Sequence, residues 1–170
     1  NHFLKKTLAR FEKVNSIPER NTENIFKEFL AEFNEDDLSK YIQFIRGVVG
    51  YFNLSNGDER LVFNAHYKDK YLSFNVGQRY CLTLHQKNSK GNFGFITSQK
   101  IEDSSEQFDG KKPEAWYTHR QNLDVFNELK SLVYDAIEVE LKRSTKSGYR
   151  KNNILEFENL IFNGYSIKMN

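Results

Sequence analysis

A chain of 170 residues with 38% apolar and 28% charged side chains is long enough for one domain to bury a core without staples. Its single cysteine excludes an internal disulfide framework and a cysteine-based metal site, and no apolar run is long enough to span a bilayer. With 25 basic against 23 acidic side chains the net charge is only +2, so affinity for a polyanion has to come from local clusters.

The first fifty residues read as helices. Phe3, Leu4, Leu8 and Phe11 recur at helical spacing until Ile17-Pro18 breaks the run. Thr22 is placed to cap a second helix with the stripe Ile25, Phe26, Phe29, Leu30 and Phe33. Asp36 or Asp37 is placed to cap a third, carrying Leu38, Tyr41, Ile42, Ile45 and Val49, with Gly47 and Gly50 marking its end. Asn56-Gly57-Asp58 is a turn signal.

The middle, residues 51–120, shifts from period 3.6 to period 2. Leu61, Phe63 and Ala65 alternate with Val62, Asn64 and His66; beyond Lys68-Asp69, Leu72, Phe74 and Val76 share one face. Tyr80, Leu82 and Leu84 then oppose Cys81, Thr83 and His85. A hairpin loop through Lys87 to Gly91 returns the chain into a strand at Phe93 to Thr97. Polar outer faces fit an antiparallel sheet covered on one side. Glu102 to Glu114 reads as the longest loop, ahead of the short segment Trp116 to Arg120.

Residues 121–170 return to helical spacing. A broad stripe runs from Leu123 to Leu141, Lys146-Ser147-Gly148 breaks it, and Ile154 to Phe162 reads as a last helix. The whole is expected to be one α+β domain, residues 1–170, with a central, mostly antiparallel sheet over about residues 60–120 packed by N-terminal and C-terminal helices. The only methionine is Met169, so the chain reads as a fragment of a larger protein. With no secretory leader pattern, a cytoplasmic setting is the default expectation.

Basic clusters are the clearest functional signal. Lys142, Arg143, Lys146, Arg150 and Lys151, with Tyr149 among them, form a stretch without acids, and its small hydroxyl residues let backbone amides approach phosphates. Lys87 and Lys90 form a second group on the hairpin loop, with Lys100 nearby. Arg79, Trp116, Tyr117, His119 and Arg120 combine flat rings with hydrogen-bond donors, the two properties a pocket for an extruded base requires. The bland counterparts are solvated loops for the cations and a core anchor for the only tryptophan. Tyr67 and Tyr71, flanking a tight turn, are secondary pocket candidates.

Enzymatic patterns are sparser. Val139-Glu140-Leu141-Lys142 matches the acid-x-Lys of Mg²⁺-dependent nucleases if residues 137–141 form a strand, with Asp124 or Asp135 as the upstream acid. On a helix, Glu138 and Lys142 become an ordinary surface pair. The histidines, at 2, 66, 85 and 119, are scattered; His66 and His85 could meet across a sheet, but two histidines do not make a metal site. They read as polar-face residues. No phosphate-binding loop is present, and no cofactor is implied.

Leu72 to Leu82, Ser104-Ser105-Glu106-Gln107-Phe108-Asp109-Gly110 and Thr145-Lys146-Ser147-Gly148-Tyr149 together resemble the amino-terminal region of McrB-type restriction proteins over roughly Leu61 to Phe162. The similarity is one of texture, and no family site residue is carried over. It implies a domain that reads DNA, often at a methylated base, joined to a downstream AAA+ motor module and served by a separate nuclease subunit. The leading expectation is therefore a DNA-binding specificity domain that is not an enzyme by itself. The alternatives are a Mg²⁺-dependent nuclease using Glu140 and Lys142, and a protein–protein interaction domain with surplus apolar helix surface.

Overall fold

The computed structural model describes residues 18–77, 80–86, 92–97, 106–107, 117–121, 130–143 and 153–163. Within them the chain runs α1 (Pro18–Ala31), α2 (Glu35–Tyr51), β1 (Leu61–His66), β2 (Tyr71–Val76), β3 (Tyr80–His85), β4 (Phe93–Thr97), β5 (Glu106–Gln107), β6 (Tyr117–Gln121), α3 (Lys130–Arg143) and α4 (Leu155–Phe162). This is the expected α+β fold, with a central antiparallel sheet flanked by helices from both ends of the chain. The helix expected from Phe3 to Phe11 lies outside the described residues, as does the hairpin loop through Lys87 to Gly91.

Helix boundaries differ from the expectation in three places. Pro18 opens α1, since the first helical residue needs no N–H donor, so Thr22, expected as its cap, lies inside α1; the run that Ile17-Pro18 is expected to end lies outside the described residues. Asn34, not Asp36 or Asp37, caps α2: its Oδ1 accepts from Asp37 N at 3.1 Å. Glu35, Asp36 and Asp37 then occupy the first turn, where carboxylates meet the positive end of the helix dipole. Finally, α2 runs through Gly47 and Gly50 to Tyr51. It ends with Asn53 at φ 53° and Leu54 N donating to Val49 O at 2.8 Å, a left-handed cap that an asparagine tolerates. Gly47 is explained by packing: a Cβ there would meet the Tyr134 hydroxyl at 3.2 Å.

Strands β1 to β4 form a sequential antiparallel meander, and the full order is β1-β2-β3-β4-β6-β5. The polar stretch expected to be all loop contributes β5, a two-residue strand pairing with β6 at Glu106↔Thr118 and Gln107↔Tyr117. Alternation sends Leu61, Phe63, Leu72, Phe74, Leu82 and Phe93 into the core beneath the helices. Full burial of one such side chain contributes roughly 1.5–3 kcal/mol. The buried Tyr41 ring of α2 packs edge-on against Phe93 at 5.5 Å and its hydroxyl donates to Leu82 O at 2.8 Å, so its polar end is satisfied in the core.

The C-terminal helix closes the free edge of β1. Leu61 N donates to Asp58 O, Phe63 N to Asn153 Oδ1 and Ala65 N to Asn64 Oδ1, while Ile154 N donates to Phe63 O. Satisfied outward groups leave little for another strand to pair with. Asn153 is held in turn by Glu158, only 2% exposed, whose Oε1 accepts from Asn153 Nδ2 at 2.6 Å and whose Oε2 accepts from Gly57 N at 3.1 Å. Gly57 has φ 89°, which suits glycine, so the turn and the edge strap share one buried carboxylate. From α2, Arg46 Nε donates to Leu160 O near the end of α4 at 3.0 Å.

Replacing Asn153 with alanine removes two of these bonds and bares the Phe63 N–H. Urea unfolding should show a loss of about 1–3 kcal/mol, the usual penalty for stranding a partly buried polar group. An unchanged midpoint would mean that the strap adds nothing to stability.

Candidate nucleic-acid interface

Strand alternation gives the sheet two unlike faces. Opposite the helix-covered face stand His66, Asn64 and Val62 on β1, Tyr71, Ser73 and Asn75 on β2, and His85 and Thr83 on β3. Register aligns them in rows across the strands. His66 pairs with Tyr71 and Tyr71 with His85; Asn64 pairs with Ser73, Ser73 with Thr83, and Thr83 with Gly94.

The first row is a column of rings. His66 and Tyr71 stack with centroids 4.0 Å apart and planes 14° from parallel; Tyr71 and His85 follow at 4.9 Å and 28°. All three side chains are half-buried. Hydroxyls of the second row fix the imidazoles from below. His66 Nε2 and Ser73 Oγ share a hydrogen bond of 3.0 Å, and His85 Nε2 lies 3.2 Å from Thr83 Oγ1. Thr83 Oγ1 also lies 3.3 Å from Gly94 O, so its hydroxyl sits between the imidazole and that carbonyl.

Burial holds the His66 imidazole below its ordinary pKa, with Asp69 in the β1–β2 turn acting in the opposite sense. The other turn tyrosine, Tyr67, goes the opposite way from Tyr71 and packs edge-on against Phe29 of α1 at 4.9 Å. The sequence marks Tyr71 only as a secondary candidate; it allows His66 and His85 to meet across a sheet but does not place Tyr71 between them. Their common signal was register: four residues, 67–70, join β1 to β2 and place His66 opposite Tyr71.

The candidates expected from sequence are distributed differently. Lys142 and Arg143 end α3, where cations meet the negative end of the helix dipole. Lys142 lies 3.7 Å from Glu138 and Arg143 3.6 Å from Glu140. Tyr117, His119 and Arg120 lie on β6, but adjacent strand positions alternate between faces. Arg120 pairs with Gly94 and so continues the Asn64-Ser73-Thr83 row; His119 pairs with Phe95 and Tyr117 with Thr97, positions of the helix-covered face. Arg79, Lys87, Lys90, Trp116, Lys146, Tyr149, Arg150 and Lys151 lie outside the described residues.

The strand required by the acid-x-Lys reading is absent: residues 137–141 belong to helix α3. Two positions along a helix correspond to a rotation of about 200°. Glu140 is accordingly 3% exposed in the packed face, whereas the Lys142 side chain is 75% exposed and meets Glu138 one turn back. Glu140 and Lys142 do not share a face. Among the described residues, no cluster of three or more histidine, cysteine or acidic side chains has metal-site geometry, and no helix is long and apolar enough to cross a membrane.

Comparison with known proteins returned no matching family model, curated protein or solved structure.

Desolvation of His66 gives stability a definite pH sense. Its folded pKa is depressed, so the fold prefers the neutral ring; this contribution is present above about pH 6.5 and is lost as pH falls through the depressed folded value. Thermal melts of wild type and His66→Gln from pH 7.5 to 5 should show the steeper acid decline in wild type. Parallel curves would remove His66 as a source of acid sensitivity.

Proposed function

We propose that this chain is a DNA-recognition domain that meets bases at the His66–Tyr71–His85 end of its sheet and phosphates through the basic end of α3 and the residues after it. The observation that carries the reading is the in-register column His66, Tyr71 and His85. A column of flat rings on a sheet is extended at its ends by a nucleobase, and base–aromatic stacking contributes roughly 1–3 kcal/mol per base. Beside it, Asn64 and Asn75 bring amide groups suited to base edges, and Arg120 holds a register position in the Asn64-Ser73-Thr83 row.

Phosphate binding falls to Lys142, Arg143, Lys146, Tyr149, Arg150 and Lys151, with Lys87 and Lys90 as a second group. Arg79 and Trp116 remain base-side candidates from sequence; Tyr117 and His119 take second place because their register positions belong to the covered face. The finer proposal is that the domain reads a modified, methylated base for a restriction system of the McrB type. Its parent would then include an AAA+ motor module and use a separate nuclease subunit, while the domain itself performs no catalysis.

A protein-contact reading has one observation of its own. Tyr51, 71% exposed at the end of α2, meets Phe52 at 4.8 Å and Tyr134 at 4.9 Å, forming an aromatic corner beside Lys130. A stable oligomer lacking nucleic-acid affinity would favour it.

Anisotropy titrations with methylated, unmethylated and single-stranded oligonucleotides at two salt concentrations test the main reading. Tyr71→Ala should weaken binding about 5- to 150-fold, the stacking range, in a protein whose circular dichroism is unchanged. Joint alanine replacement of Lys142, Lys146, Arg150 and Lys151 should weaken binding to every sequence and lower the salt slope by about one for each phosphate left without its cation. Wild-type affinity in both variants would refute the assignment.

A further inference from the structure

We propose that Asn56-Gly57 is a latent deamidation site, which the buried Glu158 carboxylate holds shut for as long as α4 is seated. The inference is independent of the nucleic-acid reading.

The dipeptide carries the reacting groups. In an asparagine–glycine pair the glycine amide nitrogen gives its proton to solvent base and attacks the asparagine Cγ. The side-chain nitrogen takes up a proton and leaves as ammonia. A water molecule then opens the cyclic imide at either carbonyl, yielding aspartate or isoaspartate. Glycine carries no Cβ beside the attacking nitrogen, so ring closure there is uncrowded. Asn56 and Gly57 are both exposed, so water and base reach them.

Two features oppose the attack. The turn is fixed: Asp58 N donates to Ser55 O at 3.1 Å, and Gly57 has φ 89° while Asn56 has no positive φ, which is the type II form. The nucleophile is also occupied. Gly57 N donates to Glu158 Oε2 at 3.1 Å, and Glu158, 2% exposed, is held from its other oxygen by Asn153 Nδ2 at 2.6 Å. Attack requires the Gly57 nitrogen to break a charge-assisted hydrogen bond and become an anion beside a carboxylate, where like charges repel. A carboxylate is itself too weak a base to remove an amide proton. Glu158 therefore guards the nitrogen.

Release of α4 removes the guard, and the reaction then records the opening. The product places a new carboxylate one residue from the N–H that Glu158 held, and isoaspartate also lengthens the backbone of the turn. Both changes oppose reseating of Glu158. Asn153 then loses its anchor, and the Phe63 N–H that it covers becomes open to another strand. A transient opening of the strap becomes permanent.

The test compares wild type, Glu158→Ala, Asn153→Ala and a synthetic peptide of residues 53–60, incubated together at neutral pH. Aspartate and isoaspartate at position 56 are quantified by mass spectrometry of the tryptic fragment Gly47–Arg60, and of the peptide directly. The peptide gives the unguarded rate. Wild type should react about 10- to 150-fold more slowly, the factor for a hydrogen bond to a charged group. Glu158→Ala should approach the peptide. Asn153→Ala, which weakens the same strap but leaves Glu158 its bond to Gly57, should fall between wild type and Glu158→Ala. Circular dichroism checks that both variants fold. In wild type, exchange of the Gly57 amide proton followed by NMR should be slowed by a similar factor, because it needs the same bond to open; this readout stands even if Glu158→Ala does not fold. Deamidation of wild type at the peptide rate, a folded Glu158→Ala as slow as wild type, Asn153→Ala as fast as Glu158→Ala, or a freely exchanging Gly57 amide overturns the proposal.

Discussion

One register governs the architecture: the pairing of β1, β2 and β3 in which Phe63 meets Phe74, Phe74 meets Leu82, and His66 meets Tyr71. Side chains alternate strictly along a strand, so the choice that sends the apolar set toward the helices sends the rings to the other face. Slipping one strand by one residue would turn its core side chains to the other face and set a histidine or an asparagine beneath the helices. Packing of several aromatic and aliphatic side chains therefore protects the ring column indirectly. Its geometry is maintained by a hydrophobic preference elsewhere.

The edge of β1 shows how the two ends of the chain cooperate. A sheet whose first strand kept its outward N–H groups unsatisfied would invite pairing with another chain. Here the sequence answers with side-chain carbonyls from Asn64 and Asn153 and the backbone carbonyl of Asp58, while the Ile154 N–H donates to the Phe63 carbonyl. Glu158 then ties this strap to the Gly57 turn, so α4 serves as both a core element and an edge cover. Arg60 makes a related link, chelating Asp58 in its own turn and reaching Leu141 O in the last turn of α3. Helices distant in sequence are fastened to the opening of β1.

Period alone made much of this legible. The four strands from Leu61 to Thr97, the stripe of α1, the final helix and the turn at Asn56-Gly57-Asp58 all follow from local pattern and local chemistry. What escaped depended on tertiary partners. Gly47 looks like a helix stop until Tyr134 is packed against it. Glu106-Gln107 is a strand only because β6 lies beside it. Residues 137–141 satisfy both periods, and the choice is made by Val133, Ala136, Ile137 and Glu140, which form one buried helical face. The ring column depends on an offset between strands, a quantity that alternation within each strand leaves undetermined.

That offset also changes the balance of forces available to the proposed recognition. A chain with a net charge of +2, whose Lys142 and Arg143 already lie near Glu138 and Glu140, has limited means to hold DNA by counterion release alone. Stacking is less sensitive to salt and requires a base to be presented to the ring. A domain using both would bind intact, regular duplex weakly and respond more strongly where a base is accessible, since only there do the stacking and electrostatic contributions act together.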